Sequence, residues 1–475
     1  MKSSTLLSPA FLGLLILSFS CKSGDAGTGP GGSGGASFEF WLTNADRSVL
    51  FQKQPTNQTI PVNSSTPEIQ VDEAVTGQSM EGFGCALTGA SAQLINGMGG
   101  VEQNALLQEL FATDGSNIGI SYLRISIGSS DLDDHVFSYD DMPPGSVDTA
   151  LTHFSLDPDR TALIPVLKKI LAINPDLKIL GSPWSPPTWM KTNNSSIGGS
   201  LKPQYYGVYA NYFVKYIRGM MDEGVHIDAI TVQNEPLYGG NNPSMVMQAS
   251  EEALFIKSSL GPAFAASGIS TKIIIYDHNA DRTDYPMSIL GDTSAGKYVD
   301  GSAFHLYGGS INDLTRIHNA YPQKNLYFTE YWVGAPGNFS SDFPWHIKNL
   351  IIGGPNNWCR NVLEWNLASD PTQSIHTPGG CSQCLGAVTI NGSTVVRNPA
   401  YYIMAHAAKF VRPGSVRINS IGPISLPNVA YRRPDGKRVL IVLNDSQIAQ
   451  TFKIIFGSTT LVSELKAQSA GTYVW

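Results

Sequence analysis

Charged residues are scarce in this chain, and those present form no basic run. Only 15% of the 475 residues are Asp, Glu, Lys or Arg, and the net charge is −7. Nucleic-acid-binding proteins carry a clustered basic surface, so the composition argues against a nucleic-acid partner. Hydrophobic residues make up 42% of the chain, which is enough for a large core and excludes wholesale disorder.

Cysteine is also rare, with five residues in the whole chain. Cys381 and Cys384 are spaced like a metal-binding or redox pair. No second Cys/His pair accompanies them, which argues against a zinc site. We expect instead a local disulfide, formed in an oxidising compartment. Most histidines are scattered along the sequence, and no metal site is predicted.

An apolar run occurs at the N-terminus, where Leu6–Phe19 follows Lys2. The run is too short and too early for a transmembrane anchor and is typical of a targeting segment. Its end, Ser20-Cys21, resembles a bacterial lipoprotein signal, although Ser18 departs from the usual Leu three positions before the cysteine. We therefore expect export, lipidation of Cys21 and membrane association as an outer-membrane lipoprotein of the bacterial cell envelope. The alternative is ordinary signal cleavage nearby, with Cys21 free or paired.

In the rest of the chain the predicted secondary-structure pattern changes twice. Both ends are rich in short strand patterns, whereas the middle alternates strand and helix. Eight candidate strands with intervening helices predict a (β/α)8 TIM barrel in the α/β class, with an attached β-sandwich built from both chain ends. The doubly wound alternative lacks a Gly-rich phosphate loop after its first strand. The candidate barrel strands are Gly82–Ala86, Tyr122–Ile127, Leu177–Gly181, Ile227–Gln233, Lys272–Asp277, Gly301–His305, Leu326–Thr329 and Val362–Trp365. The predicted boundaries are 1–21 for the signal peptide, 22–37 for a flexible tether, 38–77 and 409–475 for the sandwich, and 78–408 for the barrel.

Two of the candidate barrel strands are followed by a glutamate, Glu235 and Glu330. The carboxyl ends of barrel strands are where catalytic residues collect, so these carboxylates are expected to face one cleft. Hydrolysis of a glycosidic bond needs one protonated carboxyl for the leaving oxygen and one ionised carboxylate for the anomeric carbon or a water. We expect the close pair to raise the pKa of the acid while the other carboxylate stays ionised. Asn234, beside Glu235, is placed to bind the sugar 2-hydroxyl.

Other strand ends contribute aromatic and polar side chains, as pyranose recognition requires. Indole rings stack on the C–H faces of sugars, and carboxylates and amides bind the hydroxyls. Asp277 and His278 are interpreted as structural or rim residues. Asp131 and Arg124 could alternatively form a structural ion pair. The remaining candidates are Trp184, His305, Tyr307 and Trp365.

Several motifs resemble glycoside hydrolase family 30, the glucosylceramidase-like group. They span nearly all of the chain after the tether, in the family's order. The motifs are Gly181–Asn193 with its Pro-Trp-Ser-Pro-Pro-Thr-Trp core, Thr231-Val-Gln-Asn-Glu-Pro236, Phe328-Thr-Glu330, Glu81–Gly89, Leu123–Ile127, His305-Leu-Tyr307 and Trp365–Ala368.

The resemblance implies a retaining double displacement with Glu235 as acid/base and Glu330 as nucleophile. It also implies that neither a metal nor an organic cofactor takes part. The residues that match glucose-contacting positions are Asp131, Trp184, Asn234 and Trp365, with Tyr307 near the nucleophile and Arg124 and His305 in supporting positions.

The substrate is open between two branches of that family, which cleave β-1,6-glucan or glucosylceramide. Leu306 stands where the ceramide enzymes resemble one another in having Trp, and the loop Thr377–Cys384 also differs from theirs. Both departures favour β-1,6-glucan. The alternatives are glucosylceramidase or exo-β-glucosidase activity, a different β-linked sugar such as xylan or a fucoside, and a non-catalytic surface glycan-binding lipoprotein.

Overall fold

A computed structural model describes residues 38–56 and 60–475. The predicted signal peptide, Cys21 and the tether lie outside these described residues. Within them, the helices include none that combines the length and apolar character required to cross a bilayer.

The secondary structure alternates between strand and helix through the middle of the chain. The strands are β1 Glu39–Thr43, β2 Gln52–Gln54, β3 Glu68–Ser79, β4 Gly82–Ala86, β5 Tyr122–Ser126, β6 Lys178–Ser182, β7 Ala229–Thr231, β8 Lys272–Asn279, β9 Val299–His305, β10 Asn325–Glu330, β11 Val333–Gly334, β12 Cys359–Asn366, β13 Ala368–Ser369, β14 Cys384–Leu385, β15 Val388–Asn391, β16 Thr394–Arg397, β17 Val416–Ile421, β18 Asn428–Arg432, β19 Arg438–Leu443, β20 Gln450–Phe456, β21 Thr459–Leu465 and β22 Ala470–Val474. The helices are α1 Gly89–Asn96, α2 Gly100–Phe111, α3 Asp157–Arg160, α4 Leu163–Ile173, α5 Tyr206–Asp222, α6 Ala249–Phe255, α7 Gly261–Ser267, α8 Asp284–Gly291, α9 Thr293–Gly296, α10 Leu314–Ala320, α11 Phe339–His346, α12 Gly353–Asn356 and α13 Pro399–Ala408.

Eight parallel strands close into a barrel, in the order β10-β12-β4-β5-β6-β7-β8-β9. The predicted TIM barrel is therefore confirmed. Apolar and aromatic side chains fill its interior, which makes it a packed core and not a pore. One buried cluster in it consists of Tyr122, Leu180, Ala229, Ile274, Ala303, Tyr327 and Leu363.

The fourth barrel strand is shorter than predicted, because β7 has three residues and ends at Thr231. Beyond it the backbone N–H of Asn234 donates to the carbonyl of Pro183 at 2.8 Å, and that of Glu235 donates to Asp277 at 3.0 Å. These bonds replace the regular ladder and turn the segment over the mouth of the barrel. The early exit places Glu235 above the strand ends instead of inside the wall.

The barrel helices pack one apolar face inward. In α4 the buried residues Leu163, Val166, Leu167 and Ile170 recur at the spacing of one helical face. The neighbouring helix α1 begins at a cap, where the Thr88 side chain accepts a hydrogen bond from the backbone N–H three residues later. The helix cap and the buried apolar faces hold the helices in place against the barrel, and the loops at the strand ends lead into these helices.

Nine strands from both chain ends form the second sheet, in the order β2-β1-β22-β19-β18-β17-β3-β20-β21. This confirms the predicted sandwich from both ends. The sequence reading missed β21, where Leu461, Ser463 and Leu465 alternate inward after a turn at Gly457 with φ +56°.

The nine-stranded sheet folds over on itself and encloses its own core. Phe452 and Ser463, on β20 and β21, contact Tyr473 on β22: the two rings lie 6.1 Å apart and the two hydroxyls 2.8 Å apart. These strands are far apart in the sheet order, so the contacts require two facing layers. The core members are Ile69, Val71, Ile418, Leu426, Ala430, Leu440, Val442, Phe452, Ile454, Leu461, Leu465 and Tyr473.

Helix α13 joins the sandwich to the barrel. Its buried His406 bridges two strands, with Nδ1 2.9 Å from the Thr472 hydroxyl and Nε2 2.9 Å from the Thr43 hydroxyl. Burial lowers the pKa of His406 to about 3, so the ring is neutral and pairs with hydroxyls on both sides. Trp41 and Phe51 pack around the same ring system, which makes the junction part of the main hydrophobic core.

Candidate active site

Glu235 and Glu330 both lie at the carboxyl-terminal mouth of the barrel. Glu330 is the last residue of β10, and the register of β10 against β9 shifts just before it. Glu235 sits in the left-handed region, with φ +44°. A non-glycine residue held there is strained, and such strain persists where the surroundings fix it, often at functional sites.

One buried imidazole lies between the two carboxylates. Nδ1 of His305 is 3.2 Å from Oε1 of Glu235 and 3.7 Å from Oε1 of Glu330. The two oxygens are therefore less than about 7 Å apart, a bound that includes the ~5–5.5 Å of retaining glycosidases and excludes most of the ~6.5–9.5 Å range of inverting ones. This geometry favours attack by one carboxylate on the sugar over an interposed water.

Glu330 is held by two donors. The Arg124 guanidinium donates to Oε2 at 2.6 Å, and the Tyr307 hydroxyl donates to Oε1 at 3.0 Å. Burial of the hydroxyl, followed by the charge of Glu330, raises the pKa of Tyr307 well above its usual value, so the phenol remains a donor. Two donors fix the orientation of the Glu330 carboxylate, as attack by a nucleophile requires.

Arg124 is the centre of the network beneath the cleft, and its side chain is fully buried. Besides Glu330 it donates to Asn234 Oδ1 at 2.6 Å and to Asp277 Oδ2 at 2.8 Å. Arginine can only donate, so the amide oxygen of Asn234 must face it and the amide nitrogen is left for the cleft. In this orientation the Asn234 amide nitrogen can donate a hydrogen bond to a sugar hydroxyl.

Asp277 belongs to this network. It is fully buried, with φ +57°, so of the two interpretations the rim position is excluded and the structural one holds. Besides Arg124 it accepts hydrogen bonds from Ser182, Thr231, Thr329 and His305. Opposing burial, these partners lower the pKa of Asp277, so it stays charged and balances Arg124. Its position at the carboxyl end of the fifth barrel strand was the available signal for its place in the network.

The proton of the pair resides on the imidazole in the unliganded protein. Burial acts to lower the pKa of His305, but Glu330, Asp277 and Glu235 together raise it to about 10. Burial acts to raise the pKa of Glu235, but His278 and His305 lower it to about 2. The expectation of a raised pKa for this acid is therefore wrong here, because two histidines face Glu235. Across the 3.2 Å contact the proton needs only one transfer to reach the carboxylate.

Tryptophan residues form the walls of a cleft of about 460 Å³ above this network. The rings of Trp184 and Trp365 lie 5.4 Å apart and are tilted by 32°, and the Arg124 guanidinium lies 4.8 Å from the Trp184 ring. A charged floor beneath aromatic walls suits a pyranose, whose faces are apolar and whose rim is polar. The lining residues are Asp131, Trp184, Asn234, Tyr238, Asn241, Tyr307, Glu330, Trp332, Trp365, Cys381 and Cys384.

The predicted disulfide between Cys381 and Cys384 is present, and it lines the cleft. The Cys381 backbone N–H donates to Oδ2 of Asp131 at 3.2 Å. Burial, with help from the charge of Glu330, raises the pKa of Asp131 to about 7. The ion-pair partners of Arg124 are Glu330 and Asp277. Asp131 does not pair with Arg124, which excludes the alternative of a structural ion pair between these two residues.

The loop that carries the disulfide bridges opposite sides of the mouth. The Thr377 backbone N–H donates to the Asp131 carbonyl at 2.9 Å, and its hydroxyl donates to the carbonyl of Asn242. The Asn242 amide returns a hydrogen bond to Pro378 at 3.0 Å. The loop therefore ties the segment after the second barrel strand to the segment after the fourth.

The predicted site residues within the described ranges lie at or directly beside this cleft. Glu330 and the five proposed sugar-binding residues line it. Glu235 follows the lining residue Asn234 and contacts His305, which also contacts Glu330, and Arg124 binds Glu330. Trp332, which follows the seventh strand, also lines the cleft. Sequence reasoning did not single out the other two lining residues, Tyr238 and Asn241, since loop residues carry no periodic signal.

Two family models match the chain. The one described as Glycosyl hydrolase family 30 TIM-barrel domain matches residues 80–411, and the one described as Glycosyl hydrolase family 30 beta sandwich domain matches residues 414–473.

Individual relatives and solved structures agree with the family models. The endo-1,6-beta-D-glucanase neg1 of Aspergillus fumigatus is 36% identical over 413 residues, covering 81% of this chain and 82% of that protein. The lysosomal acid glucosylceramidase of Mus musculus is 31% identical over 395 residues, covering 78% and 75%. The solved structure of the endo-beta1,6-glucanase BT3312 superposes with a TM-score of 0.86 at 34% identity, covering 93% of this chain and 100% of that one.

Proposed function

Because the chain belongs to glycosyl hydrolase family 30 and is a glycoside hydrolase, we propose that it cleaves β-1,6-glucan with retention of configuration. The single observation that supports the mechanism is the His305 nitrogen shared by Glu235 and Glu330, which keeps the two carboxylates within the short separation that a double displacement requires.

In the first step Glu330 attacks the anomeric carbon while the bond to the leaving sugar breaks. His305 first passes its proton to Glu235 across their contact, and Glu235 then donates that proton to the leaving oxygen, which leaves Glu235 ionised for the second step. The products are a glycosyl ester on Glu330 and a shortened glucan. Arg124 and Tyr307 orient the attacking carboxylate throughout.

In the second step water attacks the same carbon from the face that the leaving sugar vacated. Glu235 takes the proton of that water, and the ester bond to Glu330 breaks. Two inversions give net retention. The Asn234 amide nitrogen is placed to bind the 2-hydroxyl, a contact that strengthens in the transition state.

The assignment to β-1,6-glucan rests on relatives and on the shape of the cleft. Relatives named endo-1,6-beta-glucanases reach 36% identity, compared with 31% for the mouse glucosylceramidase. Leu306 and the Cys381–Cys384 loop are this chain's departures from the ceramide enzymes, and that loop forms one wall of the cleft. A wall made of a short bridged loop suits a carbohydrate chain better than a ceramide tail.

A substrate panel with anomer-resolved NMR tests the proposal. Gentiobiose, longer β-1,6-glucans, xylan and glucosylceramide are incubated with the protein, and the first anomer released is recorded. We expect rapid cleavage of β-1,6-glucan with the β-anomer formed first. Faster cleavage of glucosylceramide would select the alternative activity, an initial α-anomer would exclude double displacement, and no cleavage at all would support a glycan-binding role.

We further propose that the chain is exported and held at the cell envelope through lipidated Cys21. The apolar run Leu6–Phe19 and the disulfide, which suits an oxidising compartment, support this. Metabolic labelling with a radioactive fatty acid tests it: label is expected in the wild-type protein and absent from Cys21→Ser. Equal labelling of both proteins would refute lipidation at Cys21.

A further inference from the structure

Three potential metal ligands converge beside the cleft: Glu235, His278 and His305. One ligand atom from each lies within 4.8 Å of the other two. The Glu235 oxygen is 3.2 Å from Nδ1 of His305 and 3.7 Å from Nδ1 of His278. Ligands bound to Zn²⁺ at about 2.0–2.1 Å in a tetrahedron are roughly 3.4 Å apart. The two distances from the Glu235 oxygen already suit an ion, and the two imidazole nitrogens lie within 4.8 Å of each other.

Nδ1 of His278 lacks a hydrogen-bond partner within the part of the chain that the structure describes, although it is buried. Only 8% of His278 is exposed, and this nitrogen points at the Glu235 carboxylate. A buried polar atom without a partner is unusual and needs an explanation. A metal ion between His278 and Glu235 would satisfy it.

His305 has the orientation of a metal-binding histidine, and an ion would displace the proton that it holds toward Glu235. Its second nitrogen, Nε2, lies 3.2 Å from Oδ1 of Asp277. A carboxylate on the far nitrogen is the usual outer contact of histidine ligands, since it fixes the ring and strengthens the ligand. Asp277 is itself fixed by Arg124 and Thr329, so the ring cannot readily turn away.

We propose that Glu235, His278 and His305 form an inhibitory Zn²⁺ site at the acid/base position. Two imidazoles and one carboxylate are a recognised zinc ligand set, and the fourth position would face the cleft. The ion would occupy the Glu235 oxygen that must carry the proton. Zinc would therefore stop the reaction by removing the acid and base, and it would take no part in catalysis.

Binding is tested first, on the purified protein freed of metal with a chelator. Co²⁺ serves as a spectroscopic substitute, because a four-coordinate Co²⁺ site absorbs visible light, and Zn²⁺ affinity is measured by titration calorimetry. We expect one tight ion per chain, with Mg²⁺ excluded because it prefers oxygen ligands. Absence of a tight site, or an unchanged visible spectrum, would overturn the proposal whatever the enzyme's substrate.

His278→Gln removes one ligand and keeps a polar side chain. It should weaken Zn²⁺ binding by roughly 100-fold. The matched control is His226→Gln, which alters an exposed histidine 4.0 Å from the Asp228 carboxylate and should leave affinity unchanged. Equal weakening in both variants, or in neither, would place the ion elsewhere and refute the assignment.

Inhibition is tested second, and this arm rests on the proposed function. With β-1,6-glucan as substrate, Zn²⁺ should abolish turnover in the wild-type protein, and a chelator should restore it. The residual activity of His278→Gln should resist Zn²⁺ at concentrations that silence the wild type. A protein that binds Zn²⁺ at this site yet keeps full activity would refute inhibition, whereas inactivity on glucan before any metal is added would refute the proposed function alone.

Discussion

Charged clusters lie at both ends of the barrel, and only the one at the mouth belongs to the candidate active site. At the lower end Lys272 binds Glu81 at 2.6 Å and Arg360 lies 3.3 Å from the same carboxylate. At the mouth Arg124 binds Asp277 at 2.8 Å and Glu330 at 2.6 Å. The residue types and distances are nearly the same, so charge alone does not distinguish the two ends.

The two charged clusters differ in how deeply their side chains are buried and in whether their charges converge on one cleft. The Lys272 side chain remains 33% exposed, whereas those of Arg124 and Asp277 are fully buried. Water screens the lower cluster, which makes it a modest structural contact. In the upper cluster the dry surroundings strengthen each interaction, and the charges converge beneath one cleft, which Glu330 lines. Fixed dipoles around a sugar-sized opening therefore identify the site.

The sharpest test of this comparison removes the carboxylates themselves. Glu330→Gln should lower kcat/KM by about 10⁴-fold or more, because the nucleophile is lost. Glu235→Gln should lower it by about 10²–10⁴-fold, because only acid/base assistance is lost. Rates on β-1,6-glucan and circular dichroism of each variant give the measurement.

Added azide distinguishes the two roles. In the Glu235 variant azide can attack the glycosyl ester without base assistance, so a β-glycosyl azide is expected. In the Glu330 variant azide can only replace the missing nucleophile and would give the α-product. Near-normal turnover in either folded variant would contradict the assignment.

The next test changes one arginine at each end of the barrel. Arg124→Met leaves Asp277 and Glu330 buried without their partner, which should lower stability by about 3–5 kcal/mol. Activity should fall by at least about 100-fold, since the nucleophile is no longer oriented. Arg360→Met breaks a partly exposed contact and should change stability by about 1 kcal/mol or less. Urea unfolding and kcat/KM provide both readouts, and equal effects at the two ends would invalidate the comparison.

The disulfide provides a third test, with a smaller expected effect. Reduction should free the Cys381 backbone that donates to Asp131 and should lower kcat/KM by about tenfold. The Cys381→Ser/Cys384→Ser double variant should show the same loss without reductant. Activity is measured with and without dithiothreitol, and reoxidation of the wild type should reverse the change.

The double variant is also the control for effects of dithiothreitol at sites other than the Cys381–Cys384 disulfide. Cys85 and Cys359 are buried free thiols, so the double variant has no other disulfide among the described residues and should not respond to dithiothreitol. A further loss in the double variant would show that reductant acts at another place.

Much of this site was predictable because the ends of the barrel strands can be recognised in the sequence. Apolar runs that stop at polar residues predicted Glu235 and Glu330 and the barrel that brings them together. The charge state of Glu235 was not predictable, because it depends on His278 and His305 from two other strand ends. The pairing of Asp277 was not predictable for the same reason: it comes from burial beside Arg124, which only the closed barrel creates.

Asp159 is a buried carboxyl away from the cleft, so it tests what burial alone does to a charged group. It is buried, it accepts a hydrogen bond from the Tyr139 hydroxyl at 2.5 Å, and it is not among the residues that line the cleft. Burial, only partly offset by that bond, raises its pKa to about 7, compared with an unfolded value near ~3.9. The stability that this carboxyl contributes is fully present below pH ~4 and is lost as pH rises through about 7.

Asp159→Asn removes this titration, so its melting temperature relative to the wild type should increase between pH 4 and pH 8, by roughly 2 °C. Calorimetric scans at several pH values measure it, and kcat/KM should be unchanged. A constant difference across the range would refute the raised pKa. Lost activity with unchanged stability would show that burial outside the cleft reaches the chemistry, which would break the distinction drawn between the two ends of the barrel.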